Sequence, residues 1–136
     1  MMPILTCFLI DDDPDDHEIF KMALNEISSY LACETACDGE EGLQRLHSDE
    51  DFLPDYIFVD LNMPRIDGKE CVRGIRKIER LDPVPVIIYS TSTASHDMAE
   101  TKKLQANGYV VKQPRLEMLA KKLKEVFVEH GHGHYC

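Results

Sequence analysis

The sequence predicts an α/β fold, a doubly wound five-stranded parallel sheet with helices on both faces. Five short apolar runs alternate with five longer segments whose apolar residues recur at helical spacing, as parallel strands joined by helical crossovers require. The runs are rich in β-branched and aromatic residues and apolar at almost every position, the pattern of strands covered on both faces. Four of them end abruptly on a charged or hydroxyl residue, at the edge of such a sheet where ligands bind. The strand order 2-1-3-4-5, with its switch point between strands one and three, is carried over from the common doubly wound arrangement and is not read from the residues.

Ile4–Ile10 is the first strand and runs into Asp11-Asp12-Asp13. Asp13 is placed as the N-cap of the first helix, Pro14 at its first position, and Asp15 and Asp16 in its first turn against the positive end of the dipole. Ile19, Phe20, Ala23, Leu24 and Ile27 then give one buried face. Capping explains Asp13, Asp15 and Asp16, but leaves Asp11 and Asp12 crowding like charges before the cap. Leu31–Ala36 is the second strand, and Asp38-Gly39 opens a helix with Leu43 and Leu46 on its apolar side. The stretch YIFVDLNMPRIDG, Tyr56 to Gly68, is a buried strand ending on Asp60, stopped by Asn62, Pro64 and Gly68. Cys71, Val72, Ile75 and Ile78 mark the third helix, which ends before Pro83. Val84–Tyr89 is the fourth strand and ends in the hydroxyl run Ser90-Thr91-Ser92-Thr93. A weak pattern around Met98 and Leu104 suggests a fourth helix closed by Asn107-Gly108. Tyr109–Val111 is a short fifth strand ending on Lys112. Leu116, Leu119, Ala120, Leu123, Val126 and Phe127 form the apolar side of the last helix.

Residues 1–129 are therefore expected to form one domain, with 130–136, including HGHGHYC, as a flexible tail. The chain has 136 residues and a net charge of −10, which argues against a nucleic-acid backbone or an anionic membrane as partner. No apolar run is long enough to span a bilayer and no leader pattern opens the chain, so a cytoplasmic location is expected. Five cysteines at spacings that suit no zinc site read as reduced thiols.

In the predicted arrangement Asp11, Asp12, Asp60, Ser90, Thr91 and Lys112 meet at one sheet edge. Three carboxylates that close cannot all stay ionised without a cation to neutralise them, so either one is protonated or a metal sits among them. All-oxygen donors without His or Cys suit a hard ion such as Mg2+. A lysine facing that ion leaves a gap between two positive charges, suited to an anion such as a phosphoryl group.

The Asp-Asp pair after strand one, VDLNMPRIDG, the Ser90-Thr91 strand end and GYVVK together resemble the receiver domain of bacterial two-component response regulators, with a flavodoxin-like fold. The similarity covers about Leu5 to Val128. It implies that Asp60 accepts a phosphoryl group from a sensor histidine kinase or a histidine phosphotransfer protein. It implies Mg2+ held by Asp12 directly, by Asp11 mainly through water, by Asp60, and by the backbone carbonyl of Asn62. Lys112, the Ser90 hydroxyl and the Thr91 backbone N–H are the implied phosphoryl contacts. Ser90 and Tyr109 are the implied switch pair, altering a face made by the fourth helix, fifth strand and fifth helix. Asn62 and Ser92 match positions that tune water attack on the acyl phosphate, and the small Ser92 predicts a short-lived phosphorylated state.

Gln113 stands where the family usually has proline. A cis bond before Gln113 would cost about 2.5–4 kcal/mol and one before Pro114 only about 0.5–1, so any cis bond is expected before Pro114, in a reshaped loop. The resemblance implies a stand-alone receiver, monomeric or weakly homodimeric, acting on an unidentified protein target and not as an enzyme. The alternative is an aspartate phosphohydrolase of the haloacid-dehalogenase type, but it wants a second aspartate where Asn62 stands. A flavin binder would need a loop of hydroxyls and glycine after strand one, which is not evident.

Overall fold

A computed structural model describes residues 2–136. Its elements are β1 (Leu5–Ile10), α1 (Pro14–Ile27), β2 (Leu31–Ala36), α2 (Gly39–Ser48), β3 (Tyr56–Val59), α3 (Gly68–Arg76), β4 (Val86–Ser90), α4 (Ser95–Lys103), β5 (Gly108–Val111) and α5 (Leu116–Glu129), with 3-10 turns at Glu79–Leu81 and Gly133–Tyr135. The five strands are all parallel, in the order β2-β1-β3-β4-β5.

Alternation along each strand divides the core between the two faces of the sheet. Cys7, Leu9, Tyr56, Phe58, Ile87 and Tyr89 face α1 and α5, meeting Phe20, Leu24, Leu119, Leu123 and Phe127. Phe8, Ile10, Ile57, Val59, Val86 and Ile88 face the other way, onto Leu46, Cys71, Val72 and Ile75. Phe20 packs edge-on against both Phe58 and Tyr89, which seats α1 over β3 and β4. Asp13 caps α1, its side chain accepting from the Asp15 N–H, with Pro14 behind it. Asp38 and Asp67 cap α2 and α3 in the same way.

Several sequence expectations need correction. Ile4 lies before β1 and is 56% exposed, and Ile19 is exposed although its spacing put it on the buried side of α1. The fourth strand begins at Val86, leaving Val84 and Pro85 outside and bringing Ser90 inside. The left-handed residue that follows α4 is Gln105 (φ 71°), while Gly108 is the first residue of β5. Asn107 serves instead through its side chain, which accepts from the Val86 N–H at 2.8 Å and from Arg76 at 2.7 Å.

The expected flexible tail is folded onto the body. Gly131 (φ 85°) reverses the chain after α5, a conformation that glycine adopts without a Cβ penalty. Tyr135 is then 4% exposed and its hydroxyl donates to the Pro3 carbonyl at 2.6 Å. The Tyr56 hydroxyl and His132 Nδ1 lie 2.6 Å apart. Two glycines among histidines signalled disorder, but the buried area of one tyrosine and its hydrogen bond outweigh that signal. No cis peptide bond occurs among the described residues, and Gln113 donates its side-chain N–H to the Val111 carbonyl at 2.9 Å.

Candidate functional site

The ladder of the sheet continues one residue past three strand ends, and this places the site. The Asp11 N–H donates to Ala36 O at 3.1 Å, the Asp60 N–H to Ile10 O at 2.9 Å, and the Lys112 N–H to Ser90 O at 2.8 Å. Backbone bonding therefore orients these three side chains before any of them contacts another. His17, on the first turns of α1, donates from Nε2 to the Asp11 carbonyl at 2.6 Å, and the Asp13 N–H donates to Asp11 Oδ1 at 2.9 Å.

Asp11, Asp12 and Asp60 each offer a carboxylate oxygen within 4.8 Å of the others. Asp11 and Asp60 are buried and Asp12 is exposed at the mouth. Lys112 Nζ lies 2.6 Å from Asp16, 3.0 Å from Asp11 Oδ2 and 3.6 Å from Asp60 Oδ1. One ammonium thus faces three carboxylates, and at an effective dielectric of about 20 each pair of like charges about 4 Å apart costs about 4 kcal/mol.

The titration behaviour follows. Burial, then the charge of Asp11, pushes Asp60 up to about 7, against the opposing pull of Lys112 and the Asn62 N–H. Burial also raises Asp11, and the Asp13 N–H and Lys112 offset it only in part. Burial alone would lower Lys112, but Asp16, Asp11 and Asp60 outweigh it and hold the ammonium above its ordinary value. The site is short of positive charge.

The donor set fits a hard divalent cation. Asp11 Oδ2 is buried, and its one partner is the Lys112 ammonium at 3.0 Å, which Asp16 and Asp60 share. A buried carboxylate oxygen left so is costly, and a cation among three carboxylate oxygens would satisfy it. The acidic triad is able to bind a divalent metal.

Ser90 is fully buried at the end of β4, with its Oγ accepting from the Ser92 N–H at 3.1 Å. Thr91 follows it and is exposed. Asn62 borders the site, its N–H directed at Asp60 Oδ1 at a long 3.4 Å. The Tyr109 hydroxyl donates to the Ser92 carbonyl at 2.9 Å, so the aromatic expected at the switch is tied to the loop that follows Ser90. Asp11, Asp12, Asp60 and Lys112 come together at this edge, with Ser90 ending β4 and Asn62, Thr91 and Ser92 in the loops beside it, whereas Tyr109 stands two residues before the end of β5 and reaches the edge only through its hydroxyl.

Sequence reasoning missed Asp16, His17 and a group outside the pocket: Lys69, Asp97 and Glu100. Asp16 was explained by the helix dipole, yet it is the nearest partner of Lys112. Lys69 Nζ is 3.0 Å from both Asp97 and Glu100, and nothing in its surroundings along the chain announces that.

A family model described as response regulator receiver domain matches residues 7–124. The chemotaxis protein CheY of Pseudomonas aeruginosa is 30% identical over 119 residues, covering 88% of this chain and 93% of that protein. The transcriptional regulatory protein DegU of Brevibacillus brevis is 30% identical over 113 residues, 82% of this chain, and the chain spans 47% of that longer protein. Among solved structures, the phosphorylated cyanobacterial phytochrome response regulator RcpA superposes with a TM-score of 0.81 at 28% identity, covering 91% of each chain. No helix among the described residues is long and apolar enough to cross a membrane.

Proposed function

The chain belongs to the response regulator receiver family, and on that premise we propose that Asp60 accepts a phosphoryl group from a phosphohistidine, in a reaction that needs Mg2+. The observation that carries this is the gathering of Asp11, Asp12 and Asp60 oxygens within 4.8 Å, with Lys112 as the ammonium beside them. Receivers are phosphorylated by histidine kinases, so the donor is a sensor histidine kinase or a histidine phosphotransfer protein.

Asp60 is the nucleophile. Its carboxylate oxygen attacks phosphorus while the bond from phosphorus to the donor's imidazole nitrogen breaks, the electron pair leaving with the imidazole, which takes up a proton from solvent. Asp12, Asp60, the Asn62 carbonyl and, mainly through water, Asp11 would hold Mg2+, which when bound would supply charge neutralisation to the nucleophile and the transferring oxygens. Lys112 pairs with a phosphoryl oxygen, and the Ser90 hydroxyl and Thr91 N–H donate to others. Because the bond changes are few, the residues act by position and electrostatics.

The new anion biases a two-state equilibrium. Ser90 turns from the Ser92 N–H toward the phosphoryl group, the Tyr109 hydroxyl leaves the Ser92 carbonyl, and the face of α4, β5 and α5 changes. A protein partner that reads this face is the output. The phosphohydrolase alternative is set aside, since the family match is to receivers and position 62 is asparagine.

The test is intact-mass analysis after incubation with a small-molecule phosphodonor. One phosphoryl group per chain is expected with Mg2+ present and none after chelation. Uptake that is indifferent to chelation, or continuous hydrolysis of the donor without a labelled protein, would contradict the proposal.

A further inference from the structure

The fourth helix is held to the body mainly through its charges. Of the nine residues of α4 only Thr101 is buried, and the half-buried Asp97 and Glu100 share its face at helical spacing. An inward face that is acidic gains little from apolar burial, so its position depends on what neutralises it. Lys69, the second residue of α3, does this, with Nζ 3.0 Å from Asp97 Oδ1 and 3.0 Å from Glu100 Oε2. The other oxygen of Asp97 accepts from the Ser92 hydroxyl at 2.7 Å. Those two donors hold the Asp97 carboxyl below its ordinary value, so it stays an ionised acceptor. The Ser92 N–H in turn donates to Ser90 Oγ, and its carbonyl accepts from Tyr109. A chain of polar contacts therefore runs from α3 through Asp97 to the loop that follows Ser90.

Lys69 and Asp97 also border a cleft next to the segment that carries the acceptor. Leu61, Asn62, Met63, Asp67, Lys69 and Asp97 line a cleft of about 290 Å³, directly beside the residue that follows Asp60. At about 30 Å³ per molecule it has room for several waters. A small Ser92 predicts open access for hydrolysis. In the structure its hydroxyl is engaged by Asp97 instead.

We propose that Lys69 is a positioning residue for loss of the phosphoryl group: by holding Asp97 against Ser92 it keeps the Ser92 hydroxyl committed and the loop closed, and so lengthens the phosphorylated state. This rests on Asp60 being the phosphoacceptor. In the hydrolysis that it slows, a water oxygen attacks phosphorus, the bond from phosphorus to the Asp60 oxygen breaks with its electron pair returning to the carboxylate, the water proton passes to solvent, and inorganic phosphate leaves. A Ser92 hydroxyl released from Asp97 would be free to rotate its O–H toward that water and hold it by a hydrogen bond.

The experiment loads wild type, Lys69→Met, Lys69→Arg, Asp97→Ala and the Lys69→Met/Asp97→Ala double variant from a small phosphodonor with Mg2+. The donor is then removed and the label followed by intact mass. Lys69→Met and Asp97→Ala are each expected to lose the label roughly two- to tenfold faster than wild type, the scale of one partly exposed polar contact. The double variant is expected to be no faster than the faster single, because both cut one chain of contacts. Lys69→Arg, keeping the charge, is expected to stay close to wild type. Wild-type or slower loss in both single variants, or additive acceleration in the double, would overturn the proposal. A wild type that takes up no label would instead overturn the reading of Asp60, and this proposal with it.

Discussion

Asp60→Asn is expected to give a metal-free protein more stable than wild type above pH 7, yet one that takes up no phosphoryl group. The substitution keeps size and shape and removes only the charge, so the two effects share one cause. The Asp60 carboxyl is pushed up to about 7 by burial and by Asp11, whereas in the unfolded chain it titrates at about 4. Between those values the folded protein binds a proton that the unfolded chain does not, so stability falls as pH rises through this window and levels off above it. The full span would amount to about 4 kcal/mol, and solvent relaxation around a partly wet site leaves roughly 1–3 kcal/mol. Asparagine carries no such charge. Urea unfolding in chelator at pH 5 and pH 8 measures this, with roughly a third of the full advantage for Asp60→Asn expected at the lower pH and nearly all of it at the higher. Added Mg2+ should narrow the gap at pH 8, since it stabilises the form that binds it. Equal stabilities at pH 8 without metal would mean that the carboxylates are not crowded as described.

Gly68→Ala is expected to destabilise the fold by about 3 kcal/mol or more and to depress phosphoryl uptake as well. A Cβ at this position would sit 2.3 Å from the Asp60 carbonyl oxygen and 2.6 Å from Leu61 Cα. Both are backbone atoms of the segment that carries the acceptor, so neither can swing aside. The Gly68 N–H donates to the Leu61 carbonyl at 2.9 Å, which draws the start of α3 tightly under this segment. The glycine is needed for close approach, since its φ is not in the left-handed region. Urea unfolding reads the loss, and a change within about 0.5 kcal/mol, the range of an ordinary surface substitution, would contradict this packing.

The strands and the site edge were legible in the sequence because each depends on local pattern. A continuous apolar run that stops on a carboxylate marks both a buried strand and its end, which is why Asp11, Asp60 and Lys112 could be assigned to one edge. The cap Asp13, and Asp38 at the opening of the second helix, follow from side-chain chemistry within three residues of the helix start, whereas the equivalent cap Asp67 was passed over. What escaped depends on contacts between segments distant in the chain. Lys69 meets Asp97 across 28 positions and Lys112 meets Asp16 across 96, and no local pattern encodes either. Ile19 had the spacing of a buried residue, but the inward face of α1 is filled by Phe20, Ala23 and Leu24. Tyr135 escaped because its neighbours are glycine and histidine, while its burial is set by Pro3 at the opposite end of the chain.

Borohydride reduction of the phosphodonor-treated protein, followed by peptide mapping, identifies the residue that carries the phosphoryl group, because an acyl phosphate is reduced to an alcohol where a free carboxylate is not. The account predicts homoserine at position 60 alone, and only in samples loaded with Mg2+ present. Reduction at another aspartate, or no reduced residue in a protein that carries the label, would contradict it.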